Sequence, residues 1–193
     1  MPYRKETFSP HNYFHIFCRG NDKKDIFLDH DDYEHFLSRA KKYAKLHRIT
    51  IICYCLMPNH FHFLLRQNTK QPISFFMQRL SVSHAMFFNR RHKRSGHLFG
   101  SNFKAKIILE NDYLLHLSCY IHLNPLKMIN CRSDLETYRW SSYSEYLGQN
   151  KKDGICDKEI ILGQFRDGST EYKKIIEKFV PSKELEKYEE YIT

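Results

Sequence analysis

The sequence of 193 residues contains no long hydrophobic run. Its longest uninterrupted apolar stretch, from Ile51 to Met57, is far shorter than the ~20 residues that cross a bilayer. The N-terminal residues also lack the apolar stretch that characterises a secretory signal. These two absences predict a cytoplasmic protein without membrane contact.

Cysteine pairs with the CxxC spacing are also missing. The six cysteines include no CxxC pair and form no dense framework, which argues against a disulfide-stapled scaffold and predicts reduced thiols. One alternative stays open, because Cys53 and Cys55 are close enough to His60 and His62 for a Cys-x-Cys…His-x-His zinc site. Structural zinc sites usually have other spacings, so two buried, hydrophobic cysteines are the favoured interpretation.

Acidic residues are scarce in the first three quarters of the chain. Residues 1–149 carry 22 Lys and Arg against 12 Asp and Glu, a net charge of +10, whereas residues 150–193 carry 9 against 10. A domain with this excess attracts polyanions, and nucleic acid is the commonest of them. A basic surface that serves only solubility is the alternative. The apolar content of 41% is enough to build a core and argues against wholesale disorder.

The spacing of apolar residues predicts strands at 11–18, 49–56, 60–65 and 103–109, and helices at 31–47, 73–91 and 112–124. The order β-α-β-β-α-β is that of the ferredoxin-like fold, an α+β architecture in which helices pack on an antiparallel sheet. We expect this domain to span residues 1–147. Residues 148–193 are expected to form a helical C-terminal extension of unknown role, with helices at 169–179 and 183–191.

The predicted helices carry start signals and apolar stripes. Asp31 and Glu34 have the spacing of a capping box, which places the start of the first helix at Asp31. The predicted core-facing residues of the second helix are Phe76, Leu80, Ser83 and Phe87. The predicted apolar stripe of the third helix is Leu114, Leu117, Ile121 and Met128.

Two histidines and one side of the third helix are the candidates for chemistry. His60 and His62 are two residues apart on a strand, so both imidazoles leave the same face and form half of a metal site. Polar residues follow one side of the third helix at spacings of three and four: Tyr113, His116, Tyr120, Asn124 and Lys127. Pro125 should end or kink this helix, which leaves the amide of Asn124 at a helix terminus. A solvated helix edge with a half-buried tyrosine is the alternative.

Basic residues near the end of the second helix and on the last strand are candidate phosphate contacts. Aromatic neighbours such as Phe88, Phe99 and Phe103 could stack on unpaired bases. The candidate phosphate-binding residues are Arg90, Arg91, Lys93, Arg94, Lys104 and Lys106, with Arg19 added by the resemblance described next.

The segments LMPNHFH at 56–62 and YIHLNP at 120–125 resemble the signatures of the single-tyrosine HUH transposases. The resemblance is closest to the branch called REP-associated tyrosine transposases and covers residues 8–147. Further segments agree in place and order: RGN at 19–21, FNRR at 88–91, FK at 103–104 and WSSY at 140–143. The sequence departs from the family at His122, where relatives often carry an acidic residue, and at Phe99-Gly100-Ser101-Asn102, where they often carry an arginine.

The resemblance implies a catalytic role for the first domain. Tyr120 would attack a phosphodiester of single-stranded, hairpin-forming DNA, form a 5′-phosphotyrosine link and release a 3′-hydroxyl. His60, His62 and Asn124 would bind a divalent metal, Mg²⁺ or Mn²⁺. Relatives act as monomers or as homodimers, and both stay open for this chain.

Two other functions stay open. The same fold serves nucleic-acid-binding domains, so the chain could be a non-catalytic (domesticated) nucleic-acid-binding module. A metal-dependent hydrolase in which water replaces the tyrosine is the second. It predicts cleavage of DNA without a covalent protein–DNA adduct.

Overall fold

The computed structural model describes residues 8–109, 111–129, 131–149 and 154–179. Its sheet contains the strands β1 (Tyr13–Arg19), β2 (Ile49–Met57), β3 (His60–Gln67) and β4 (Lys104–Ile108). The strand order is β2-β3-β1-β4, and all neighbouring strands are antiparallel. This is the ferredoxin-like arrangement, so the predicted α+β fold class is confirmed.

Six α-helices complete the described chain: α1 (His30–His47), α2 (Ile73–Arg91), α3 (Asn111–Leu123), α4 (Tyr143–Tyr146), α5 (Glu159–Leu162) and α6 (Gly168–Lys178). Short 3-10 segments cover Asn21–Lys23, Asn124–Lys127 and Arg132–Glu136. Helix α6 begins one residue before the predicted helix at 169–179 and ends one residue before its predicted end. The helix predicted at 183–191 lies outside the described residues. No helix in the described ranges is long and apolar enough to cross a membrane.

The start of α1 differs from the prediction. Asp29, not Asp31, is the N-cap, because its backbone is extended and its carboxylate accepts hydrogen bonds from the amides of Asp31 and Asp32. The Asp32 carboxylate is fully buried and accepts a bond of 2.9 Å from the Leu28 amide. The helix begins one residue earlier than predicted, and its end at His47 is as predicted.

Helices α1 and α2 cover one face of the sheet, and their core-facing residues include Phe36, Ala40, Phe76 and Leu80. The predicted core positions Ser83 and Phe87 of α2 are wrong, because both are only partly buried. Their neighbours His84 and Phe88 enter the core instead, while the ring of Phe87 stacks on His35.

The second face of the sheet is covered by α3 and by the chain that follows it. Leu114, Leu117 and Ile121 of α3 are buried there, as predicted, together with Tyr172 and Ile176 of α6. Met128 is wrongly predicted: its side chain is 46% exposed. The α-helix ends at Leu123 and continues as a 3-10 turn, so helical spacing no longer applies at position 128.

The later segments also cover the outer edge of β2. The amide of Leu56 donates to the Trp140 carbonyl, and the amide of Asp157 donates to the Ile51 carbonyl. An edge strand that is paired in this way presents fewer open backbone groups to other chains. Residues 154–179 therefore pack on the same core as the first domain.

Candidate active site

The two imidazoles predicted to act together lie at the start of β3. Cα pairing places His60 opposite Arg19 and His62 opposite Phe17, with both imidazoles on the α3 side of the sheet. Their ring centroids are 5.2 Å apart. His62 is completely buried and His60 nearly so.

A third imidazole joins this pair. Nε2 of His15, on β1, lies 2.9 Å from Nδ1 of His62 in a buried hydrogen bond. Sequence reasoning missed His15. This residue lies two positions before Phe17, the cross-strand partner of His62, so His15 and Phe17 are on the same face of β1. Only the strand order, which makes β1 and β3 neighbours, brings the two histidines together.

Hydrogen bonding occupies one ring nitrogen of His60 and one ring nitrogen of His62. Nδ1 of His60 is 2.7 Å from Oδ1 of Asn59, and Nδ1 of His62 contacts His15. The Nε2 atoms of His60 and His62 are both buried and have no hydrogen-bond partner among the described residues. Buried polar atoms rarely lack a hydrogen-bond partner in folded proteins.

Tyr120 lies directly against these imidazoles. Its ring is edge-on to His62 at 5.8 Å and to His15 at 6.3 Å between centroids, and the residue is only 3% exposed. The alternative of a solvated helix edge is therefore wrong for the C-terminal half of α3. It holds for His116, which is exposed on the same helix.

Asn124 completes the group, and Pro125 explains its position. The proline is at the first turn of the 3-10 segment, and α3 ends at Leu123, one residue before the predicted end at 124. The Asn124 amide nitrogen donates to the Tyr120 carbonyl at 2.9 Å. The amide oxygen Oδ1 is buried without a hydrogen-bond partner among the described residues, like the two Nε2 atoms.

Burial keeps the imidazoles uncharged. It lowers the pKa of His60 to about 4, and the nearby charges of Lys127 and Arg19 act in the same direction. Burial, followed by Lys106, lowers the pKa of His15 to about 3, and burial also holds the pKa of His62 well below its usual range. Neutral imidazoles with an available nitrogen are the form that binds a metal.

The donor set fits a divalent cation. Two imidazole nitrogens and one amide oxygen, each without a hydrogen-bond partner in the described chain, are chemically suitable ligands. The zinc alternative is not supported, because no described group of three ligand atoms within 4.8 Å includes Cys53 or Cys55. The one such group is Asp29, Asp32 and His92, on the other side of the sheet.

The predicted basic residues separate into two groups. Arg19, Lys104 and Lys106 lie on the α3 face, since the two lysines pair with Phe17 and His15 of β1. The run from Arg90 to Arg94 begins in the last turn of α2, which packs on the opposite face. The sheet thus lies between two groups of basic residues that are all candidate phosphate contacts.

Arg91 is engaged in the fold. Its guanidinium donates to Asp29 at 2.8 Å and to Asp31 at 2.6 Å, and Nε2 of the adjacent His92 lies 2.9 Å from the Asp32 carboxylate. The acidic cluster is therefore already paired with Arg91 and His92 at the end of α2. Arg94 donates to the His97 carbonyl, and Arg90 and Lys93 are exposed.

Comparisons with known proteins agree with this geometry. The family model described as "Transposase IS200 like" matches residues 9–124, more than half of the chain. The structure of a REP-associated tyrosine transposase bound to a REP hairpin is 15% identical, with a TM-score of 0.61 over 87% of this chain and 97% of that chain. At this identity the likeness shows the fold.

A second solved structure is that of a candidate transposase from Deinococcus radiodurans R1. It is 13% identical and covers 58% of this chain and 91% of that chain, with a TM-score of 0.44. No curated protein matches the sequence significantly. The family model, which ends at Asn124 and so includes the two imidazoles and the tyrosine, establishes that this chain belongs to the IS200-like transposase family.

Proposed function

We propose that this transposase cleaves and rejoins single-stranded, hairpin-forming DNA, with Tyr120 as the nucleophile and a divalent metal held by His60, His62 and Asn124. The observation that carries the proposal is the contact between the Tyr120 ring and His62, beside three buried ligand atoms that lack hydrogen-bond partners in the described chain. A hairpin is the proposed substrate because the relative of similar fold is bound to one.

The reaction proceeds by exchange of one phosphodiester bond for another. Oη of Tyr120 attacks phosphorus, a P–O bond to the tyrosine forms, and the bond to the 3′-oxygen breaks. The proton lost by the phenol balances the proton gained by the departing 3′-oxygen, which leaves as a hydroxyl, and the 5′-phosphate stays on the protein. Because this link conserves the phosphodiester bond, attack by a 3′-hydroxyl rejoins the strand without ATP.

A metal ion, Mg²⁺ or Mn²⁺, supplies neutralisation of the phosphate oxygens when it is bound, which a weakly nucleophilic phenol requires. The residues of this chain contribute position. The bond from Asn124 to the Tyr120 carbonyl ties the end of α3 to the tyrosine, and His15 fixes the orientation of the His62 ring. Arg19, Lys104 and Lys106 are the proposed phosphate contacts on this face.

The test is adduct formation by Tyr120→Phe. A labelled DNA hairpin with single-stranded tails is incubated with Mn²⁺, and the products are separated on a denaturing gel. The wild type and the matched control Tyr113→Phe, which alters a partly buried tyrosine two turns earlier on α3, should form an adduct. Tyr120→Phe should bind the hairpin and form none.

Three results would contradict the proposal. Equal adduct formation by Tyr120→Phe would remove this residue from the role. Cleavage without any adduct would indicate that water is the nucleophile. Tight, salt-sensitive binding without cleavage by the wild type would indicate a non-catalytic binding module.

A further inference from the structure

Residues 20–27, between β1 and α1, are hydrogen-bonded to the turn that leads from β2 into β3, and we call them the 20–27 loop. The Gly20 amide donates to the Asn59 carbonyl at 2.8 Å. The Ile26 amide donates to the Pro58 carbonyl at 2.7 Å. Both residues of the turn are thus bonded to the loop, and the next residue along the chain is the first of the two proposed imidazole ligands.

The side chain of Asn59 continues this connection. Its amide nitrogen Nδ2 donates to the Lys23 carbonyl of the loop at 3.2 Å, and its oxygen Oδ1 lies 2.7 Å from Nδ1 of His60. A backbone carbonyl can only accept a hydrogen bond, so the Asn59 atom that faces Lys23 must be the amide nitrogen. The atom that faces His60 is then the amide oxygen, which also can only accept.

These two bonds determine which nitrogen of the His60 ring carries the proton. Because Oδ1 of Asn59 cannot donate, Nδ1 of His60 has to be the protonated nitrogen. A neutral imidazole has one protonated and one unprotonated nitrogen, so Nε2 keeps the lone pair that a cation requires. This Nε2 atom is buried and has no hydrogen-bond partner among the described residues. With the proton on Nε2 instead, the ring could not bind a cation through that atom.

The Lys23 carbonyl reaches Asn59 because the backbone of the loop turns sharply at this point. Asp22 and Lys23 both have left-handed conformations, with φ of 52° and 61°. Residues other than glycine rarely adopt such values unless the surrounding structure enforces them. The position of this carbonyl is therefore a property of the folded loop and not of Lys23 alone.

Both ends of the loop are fixed. At its start, Gly20 packs so closely that a Cβ there would lie 2.0 Å from the Lys24 carbonyl oxygen, so only glycine fits. Near its other end, Ile26 is fully buried, and its carbonyl accepts a hydrogen bond of 2.8 Å from Nε2 of His84 on α2. A loop fixed at both ends can hold the Lys23 carbonyl in place before any metal binds.

We propose that the 20–27 loop, acting through Asn59, keeps His60 in the one tautomer that can bind a divalent cation through Nε2. Asn59 is a positioning residue, because it acts through the His60 ring and supplies no ligand atom itself. The inference rests on the proposed function, which makes His60 a metal ligand. The second imidazole has a different arrangement, since Nδ1 of His62 contacts His15 on the adjacent strand.

The test compares the wild type with Asn59→Leu, which keeps the approximate size of the side chain and removes both of its hydrogen bonds. The matched control is Asn21→Ala, because the Asn21 side chain belongs to the same loop and donates to the exposed Asp22. Long-range ¹H–¹⁵N spectra of the metal-free, ¹⁵N-labelled proteins at neutral pH report which nitrogen of each ring is protonated. The His60 signals are identified among those of the 12 histidines by their loss in His60→Gln.

The wild type and Asn21→Ala should carry the His60 proton on Nδ1. In Asn59→Leu, the form with the proton on Nε2 should appear, because no acceptor remains at Nδ1. Isothermal titration with Mn²⁺ is the second measurement. The affinity for Mn²⁺ should fall about 10- to 100-fold in Asn59→Leu and stay unchanged in Asn21→Ala.

A His60 proton on Nε2 in the metal-free wild type would overturn the proposal without any variant. So would an unchanged His60 tautomer in Asn59→Leu, or equal affinities of this variant and the wild type for Mn²⁺. The tautomer measurement needs neither metal nor DNA, so it keeps its outcome even if the Tyr120 experiment fails. A wild type that binds no Mn²⁺ would contradict the proposed metal site, which is a different result from a wrong tautomer.

Discussion

At the scale of single residues, the neighbourhood of His62 explains why a histidine pair is useful here. The contact with His15 occupies Nδ1 of His62, and Asn59 occupies Nδ1 of His60. Each imidazole therefore keeps Nε2 as its remaining ring nitrogen. A ligand whose second nitrogen is fixed in this way has a defined tautomer and ring orientation.

The first prediction concerns metal binding. Saturating Mn²⁺ should raise the melting temperature of the wild type by about 5–10 °C, because a ligand that binds only the folded state stabilises it. Asn124→Ala should lose most of this increase, since Oδ1 is one of the three proposed ligands. His116→Ala, which alters an exposed histidine on the same helix, should retain it. Differential scanning fluorimetry with Mn²⁺ or with EDTA measures the effect, and an unchanged increase in Asn124→Ala would exclude the amide as a ligand.

The second prediction concerns pH and a histidine remote from the site. Burial lowers the pKa of His84 from 6.5 to about 4, although the hydrogen bond between Nε2 and the Ile26 carbonyl opposes this. Between these two values the unfolded chain binds a proton that the folded chain does not. The free energy of unfolding should therefore fall as the pH falls through this window, on the order of 3 kcal/mol for this group.

His84→Gln isolates that contribution, because glutamine can still donate to the Ile26 carbonyl but does not titrate. Urea denaturation at pH 7 and at pH 4.5 should show a smaller loss in the variant than in the wild type. The other buried histidines are common to both proteins, so their contributions cancel. Equal losses would mean that His84 keeps its ordinary pKa in the folded state.

At the scale of secondary-structure elements, the positions of the site residues were predicted better than the buried faces of the helices. The alternation of side chains along a strand and the spacing of residues along a helix were sufficient for the site residues. His60 and His62 face the same side because a strand has a period of two, whatever surrounds it. Tyr120 and Asn124 are close because they are one helical turn apart. Such short-range geometry can be predicted from the sequence.

Longer-range relations could not be predicted in the same way. His15 lies in the site because the strand order makes β1 and β3 neighbours. The basic residues near position 90 lie on the α2 side of the sheet, whereas Lys104 lies on the α3 side. In α2, the stripe includes His84, whose polar side chain is buried because it finds the Ile26 carbonyl. A pattern that counts histidine as polar misses such a position.

The third prediction concerns the connection between α1 and α2. The buried Asp32 carboxylate links the Leu28 amide at the start of α1 to His92 at the end of α2. Asp32→Ala leaves these groups without their buried partner and should lower the free energy of unfolding by about 1–3 kcal/mol. Asp31→Ala, which alters the exposed neighbour, should have a smaller effect in the same urea titration. A larger loss in Asp31→Ala would show that the surface pair with Arg91 dominates the connection.

At the scale of the whole molecule, the C-terminal segment is tied to the helix that carries Tyr120. The buried His122 ring contacts the Tyr172 hydroxyl of α6 through Nδ1 and the Ser142 hydroxyl through Nε2, both at 2.8 Å. The Tyr172 hydroxyl also donates to Ser118 at 3.0 Å. Two residues of α3 on either side of Tyr120 thus share one partner beyond the matched family region.

The fourth prediction follows from that shared partner. Tyr172→Phe leaves His122 and Ser118 without their buried hydroxyl partner and should lower the free energy of unfolding by about 1–3 kcal/mol. It should also slow adduct formation, because α3 loses two contacts that hold the tyrosine in place. Lys173→Ala, which breaks only the surface pair with Glu136, is the control and should keep the wild-type adduct rate. An unchanged rate in Tyr172→Phe would confine Tyr172 to a role in stability.

The short distance between Tyr120 and His62 within one polypeptide determines how many protein molecules the reaction needs. A lone molecule already contains the phenol and the imidazoles side by side, so dilution would not separate them. The first-order rate of strand attack on pre-bound hairpin should therefore be independent of how much protein is in the tube.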